Sequence, residues 1–172
     1  TQTVVDLDEL VTDADPQTAQ AMKDFLKQQP ADVLLDLQEE IYGISTLDEW
    51  NGSYYIFENT IRTYLNSAIL DHELGHALSY EAGSDTSGLI DNEEFLSIYD
   101  EELEAFLALG LELKEEDVSY LFDITEFFAE SKMLTTDVQD EDLFARAQIL
   151  QQYFPRSVAY ANMLMNNVED YI

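Results

Sequence analysis

At 172 residues with 46% hydrophobic content, the chain is long enough for one well-filled core and short for two, so a single domain over 1–172 is expected. Seven Lys plus Arg against 37 Asp plus Glu leave a net charge of −30, which argues against nucleic acid or an anionic membrane surface as partner. With no cysteine, disulfides and thiolate chemistry are excluded, and no apolar run approaches the roughly 18 residues of a membrane span.

The opening TQTVVDLDEL is acidic and lacks the basic and apolar regions of a signal peptide. The expectation is therefore a cytosolic chain, or one that has lost a leader before Thr1. Asp15-Pro16 supplies an N-cap and a first helical position, and the apolar spacing of Ala19, Met22, Phe25 and Leu26 runs to the stop at Gln29-Pro30. ADVLLDLQ alternates apolar residues at Val33, Leu35 and Leu37, and SYYIFENTIRTY is rich in β-branched and aromatic types; both predict strands, with Glu58-Asn59 as a turn.

From Asn66 or Ser67 the period changes to 3.6, with Ile69, Leu70, Leu74, Ala77 and Leu78 apolar, until Gly83 offers a C-terminal cap. The loop SDTSGLIDN leads to a helix in EEFLSIYDEELEAFLALG that ends at Gly110. After an acidic connection, DITEFFAESKMLT predicts a helix, and DEDLFARAQILQQYF and RSVAYANMLMNNVEDYI predict two more, broken by Pro155. Strands come early and helices late. That is an α+β layout with a small N-terminal sheet, an α/β part over about 1–83 and a mostly helical part over about 84–172.

The only two histidines of the chain, His72 and His76, stand in LDHELGHAL. On a helix, positions i and i+4 lie one turn apart on one face, so the pair can offer two imidazole nitrogens to one metal ion. Glu73 is offset by about 100° around the axis, beside the metal and outside its ligand set. This is the H-E-x-x-H arrangement of metalloproteases, in which zinc acidifies a water to a pKa of about 7 and the glutamate shuttles its proton to the leaving amine. Chance alone would place the motif in roughly one chain of this length in a few hundred. Gly75, between Glu73 and His76, either admits a substrate strand close to the helix or packs against a neighbour.

Catalytic zinc keeps three protein ligands, and with no further His and no Cys the third must be Asp or Glu. In DITEFFAES, Glu126 and Glu130 share a face beside Phe127 and Phe128. One would bind the metal and the other would take the free nitrogen of a ligand histidine; residue chemistry does not choose between them. Asp123-x-x-Glu126 also has the form of a capping box, which would occupy Glu126 otherwise.

HELGHAL followed some fifty residues later by EFFAES resembles the zinc metallopeptidase family of the anthrax lethal factor catalytic domain and the secreted bacterial Pro-Pro endopeptidases. EEFLSIYDEE and YFPRSVAYANMLM are similar in kind, and the resemblance runs from about Tyr54 to the C-terminus. It implies a zincin-like fold, one zinc per chain, peptide-bond hydrolysis, Glu126 as the metal ligand and Glu130 supporting from outside the ligand set. The family places an oxyanion-donating tyrosine seven positions before the ligand glutamate. Here that position is Ser119, and Tyr120, which follows it, is the candidate.

The resemblance further implies an extended peptide laid on an edge strand, for which NTIRTY is the candidate. Trp50, the only tryptophan, is offered either for stacking on a substrate proline or as a loop anchor. The implied setting is an extracellular, secreted bacterial protein, monomeric, acting on protein or peptide substrates whose basic flanks suit the acidic surface. The alternative is a peptidase-like acidic module that captures basic partners without turnover.

Overall fold

A computed structural model describes residues 5–13, 15–29, 31, 33–34, 43–46, 52–55, 60–63, 67–80, 88–135 and 141–166. Helix α1 (Leu7–Leu10) is capped by Asp6, whose carboxylate accepts from the amides of Asp8 and Glu9. Helix α2 (Pro16–Leu26) starts as its sequence predicts: Asp15 accepts from the Thr18 amide at 2.8 Å, and Pro16 needs no donor at the first helical position. Its Ala19, Met22 and Leu26 are buried.

Three short strands follow, β1 (Gly43–Thr46), β2 (Gly52–Tyr55) and β3 (Thr60–Thr63), in the sheet order β1-β3-β2. β2 and β3 pair antiparallel with Tyr55 opposite Thr60, while β1 pairs parallel with β3, Gly43 opposite Thr60. On its other side β1 is bridged by the chain after α1, where Val11 pairs with Ile44 and the Thr12 amide donates to the Ile44 carbonyl at 2.9 Å.

Two expectations are corrected here. NTIRTY supplies the central strand, not an edge, because β1 takes its free side. ADVLLDLQ is not a strand where it is described: Ala31, Val33 and Leu34 are helical. Val33 and Leu37 fit the i, i+4 spacing of a helix as well as the alternation of a strand, and a short apolar run cannot separate the two. The Glu58-Asn59 turn, Gly83, Trp50 and residues 35–38 lie outside the described residues.

Helix α3 (Ser67–Tyr80) carries the histidines and buries Leu70, Leu74, Ala77 and Leu78. After a 3-10 turn at Gly88–Asp91 comes α4 (Glu93–Ala108), capped by Asn92, whose side chain accepts from the Phe95 amide at 2.9 Å. It stops at Gly110, which takes the left-handed φ of 60° that glycine alone adopts without cost. The acidic connection turns out to hold a helix, α5 (Glu115–Phe122); Glu115, Glu116 and Asp117 stand in its first turn, where the dipole favours negative charge.

Helix α6 (Ile124–Met133) begins at Asp123, which caps the Thr125 amide at 2.9 Å, and every residue from Phe127 to Met133 is buried. Helices α7 (Glu141–Tyr153) and α8 (Pro155–Asn166) are separated at Pro155, the first residue of α8. The start of α8 is capped from another helix: Glu102 of α4 accepts from the Ser157 amide and hydroxyl, both at 2.6 Å. Phe95, Tyr99, Phe106, Phe127, Phe128 and Phe154 form one aromatic cluster beneath α6, and the Tyr99 hydroxyl donates to the Leu121 carbonyl. The result is a helix-rich α+β fold in which α6 lies at the centre of the helical half. No helix among the described residues is long and apolar enough to cross a membrane.

Candidate metal centre

The centre is built where α3 and α6 touch. Gly75 sets how closely they approach: a Cβ added there would stand 2.7 Å from Ala129 Cα, 2.9 Å from Lys132 Cβ and 3.2 Å from the Phe128 carbonyl oxygen. Gly75 therefore packs against α6, the second of the two roles its position offers. His72 and His76, four positions apart, share one face of α3.

A second fastening joins the same two helices. Lys132 of α6, 3% exposed, donates from Nζ to Asp71 of α3 at 3.0 Å and to Gln29 at 2.8 Å, and Gln29 in turn donates to Asp71 at 3.0 Å. Neither charge is left alone in the core.

Held this way, the helices bring three donor atoms together. His72 Nε2 and His76 Nε2 are 3.2 Å apart, and Glu126 Oε2 lies 3.1 Å from the first and 3.5 Å from the second. A tetrahedral ion with bonds of about 2.0–2.1 Å separates its ligand atoms by roughly 3.3–3.4 Å, so the three atoms fit one ion without rearrangement. Glu126 Oε2 is buried, with both imidazole nitrogens within 3.5 Å. Asp123 caps α6 with Thr125 as partner, and the Glu126 carboxylate faces the imidazoles.

Burial and neighbouring charge act differently on the three groups. Burial opposes ionisation of Glu126, but the two imidazoles outweigh it and hold the carboxyl far below the usual range. Burial also lowers the pKa of His72, an effect only partly offset by Glu126. For His76 burial is outweighed by Glu126, Glu73 and Asp123, and its pKa is raised. Glu73 is buried at 6% exposure, with its charge felt at His76.

Glu130 stands behind His72. Its carboxylate is 1% exposed, lies 3.7 Å from His72 Nδ1 and pairs with Arg146 of α7. Burial pushes its pKa up to about 7 despite that arginine. Tyr120 of α5 reaches the centre too, its ring edge-on to His72 at 6.2 Å between centroids, with the Arg146 guanidinium 3.9 Å over its face. Arg146 and the Lys132–Asp71 pair have no warning in the sequence beyond a basic residue on an otherwise apolar helix face of a chain with seven such residues.

Compared with known proteins, the chain matches no family model and no curated relative.

Proposed function

We propose that the chain is a zinc-dependent endopeptidase of zincin-like fold. The observation that carries this reading is the convergence of His72 Nε2, His76 Nε2 and Glu126 Oε2 within 3.1–3.5 Å, with Glu73 buried on the helix of the two histidines. Two imidazoles and a carboxylate are the donor set of catalytic zinc, which retains an open position and supplies Lewis acidity at neutral pH. A purely structural site would be closed by a fourth protein ligand and would have no use for Glu73.

In this reading Glu73 is the general base, taking a proton from the attacking water and delivering it to the leaving amine. Tyr120 is the donor to the developing oxyanion. An extended substrate pairs with β2, whose outer edge has no strand beside it among the described residues and which carries the sheet side nearest α3. The acidic surface draws in substrates with basic flanks. The likeness of HELGHAL and EFFAES to the lethal factor and Pro-Pro endopeptidase family supports the same reaction, together with a secreted bacterial setting.

The test is metal content and peptide-library cleavage on the same preparation. The expected result is one zinc per chain, cleavage abolished by a chelator and restored by zinc, and a Glu73→Ala variant that keeps its zinc while losing a factor of about 10²–10⁴ in turnover. Zinc binding with no cleavage of any peptide would replace the enzyme by an acidic binding module.

A further inference from the structure

One guanidinium touches two different neighbours of His72. Arg146 is 15% exposed at its side chain and pairs through Nη2 with Glu130 Oε1, the same oxygen that lies 3.7 Å from His72 Nδ1. Its Cζ also sits 3.9 Å from the centre of the Tyr120 ring, and that ring is edge-on to His72. Three helices, α5, α6 and α7, thus meet on a single side chain, with a ligand histidine on the far side of both contacts.

We propose that Arg146 is a positioning residue of the metal centre: it anchors the Glu130 carboxylate behind His72 and clamps the Tyr120 ring beside it. This rests on the metallopeptidase reading above. Only arginine suits both tasks, because its planar fork pairs with a carboxylate along the edge while its face stacks on an aromatic ring. Without it, no cation would fix the direction of the buried Glu130 carboxyl, and an imidazole is oriented by the group its second nitrogen meets. Tyr120 would lose the surface that sets its ring plane, and a hydroxyl on a freely turning ring stabilises a transition state poorly. The two contacts call on different properties of the side chain, so substitution can separate them.

Arg146→Lys keeps the charge and loses the planar stack; Arg146→Gln loses the charge. Each is measured in the full chain for zinc affinity by chelator competition, for the visible absorption bands of the cobalt-loaded form, and for kcat and KM separately, with circular dichroism as the folding control. Arg146→Lys is expected to hold zinc within about threefold of wild type while kcat falls as far as in Tyr120→Phe with KM little changed. The double variant should then turn over no slower than Tyr120→Phe alone. Arg146→Gln is expected to weaken zinc binding by about 10–100-fold and to shift the cobalt bands. Should Arg146→Gln not fold, Glu130→Gln/Arg146→Gln, which leaves no lone buried charge, takes its place with the same expected readouts.

Wild-type zinc affinity and cobalt bands in the charge-removing variant would overturn the Glu130 half. Fully multiplicative losses for Arg146→Lys and Tyr120→Phe would overturn the Tyr120 half. A wild-type chain that binds zinc and cleaves nothing removes the peptidase reading and the Tyr120 half with it, while the metal readouts still decide the link from Arg146 through Glu130 to His72.

Discussion

Replacing Gly75 by alanine tests how the centre is assembled without touching any ligand. The new methyl would arrive 2.7 Å from Ala129 Cα, about 0.7 Å inside the 3.4 Å at which ordinary contact begins. Ala129 Cα is backbone, so a rotamer change cannot clear it; α3 and α6 must separate or slide. Alanine gains about 1 kcal/mol of helix propensity over glycine, and overpacking of this kind costs about 1–3 kcal/mol. The net loss is about 0–2 kcal/mol, which at roughly 2–4 °C per kcal/mol for a chain this size lowers the melting temperature by up to about 8 °C. The metal is the more sensitive reporter. Ligand distances tolerate errors of about 0.2 Å, and a shift of several tenths between the helix of His72 and His76 and the helix of Glu126 exceeds that. Zinc affinity is expected to fall at least tenfold, about 1.4 kcal/mol, read by chelator competition, with thermal unfolding of the zinc-free chain measured alongside. A Gly75→Ala chain that melts no lower and binds zinc as tightly as wild type would refute the claim that this contact sets the spacing of the ligands.

Further outcomes follow from other contacts. Lys132→Met leaves buried Asp71 without its cation, with Gln29 as its remaining partner, and should cost about 3–5 kcal/mol in denaturant unfolding, whereas Lys132→Met/Asp71→Asn should recover a large part of that loss. Glu102→Ala removes the acceptor shared by the Ser157 amide and hydroxyl and should destabilise by about 1–3 kcal/mol without changing zinc affinity, since this cap joins α4 to the start of α8 and involves none of the proposed ligands. Glu126→Gln should abolish tight zinc binding, while Glu130→Gln should retain stoichiometric zinc with affinity reduced by about 10–100-fold; the reverse order would exchange their roles.

Much of the helical structure was legible because its signals are local. Asp15-Pro16, Gly110 and Pro155 each fix a helix end through the conformation or hydrogen bond of one residue, and the apolar spacing of Leu70, Leu74, Ala77 and Leu78 reports one buried face. The sheet was less legible because its order depends on pairings made at a distance. Strand β1 has only four residues and a glycine at its start, and its parallel partner lies 17 positions on; without it, β3 reads as an edge. Helix α5 hid because its first turn is wholly acidic, which resembles a solvated loop as much as a dipole-matched start. In the site, His72, Glu73 and His76 declare themselves by spacing. The choice between Glu126 and Glu130 depends on which carboxylate faces Nε2 and which faces Nδ1, a distinction that spacing on α6 does not contain. Arg146 was invisible for the same reason: its partners sit on two other helices, and an arginine on an amphipathic helix reads as surface.

In the proposed centre, His72, His76 and Glu126 hold one zinc ion between two helices. Anomalous diffraction from zinc-loaded crystals, recorded on both sides of the zinc absorption edge, tests it most directly. A single peak is expected at about 2.0–2.2 Å from His72 Nε2, His76 Nε2 and a Glu126 carboxylate oxygen. A peak ligated by Glu130 in place of Glu126, or no peak at the histidine pair, would contradict it.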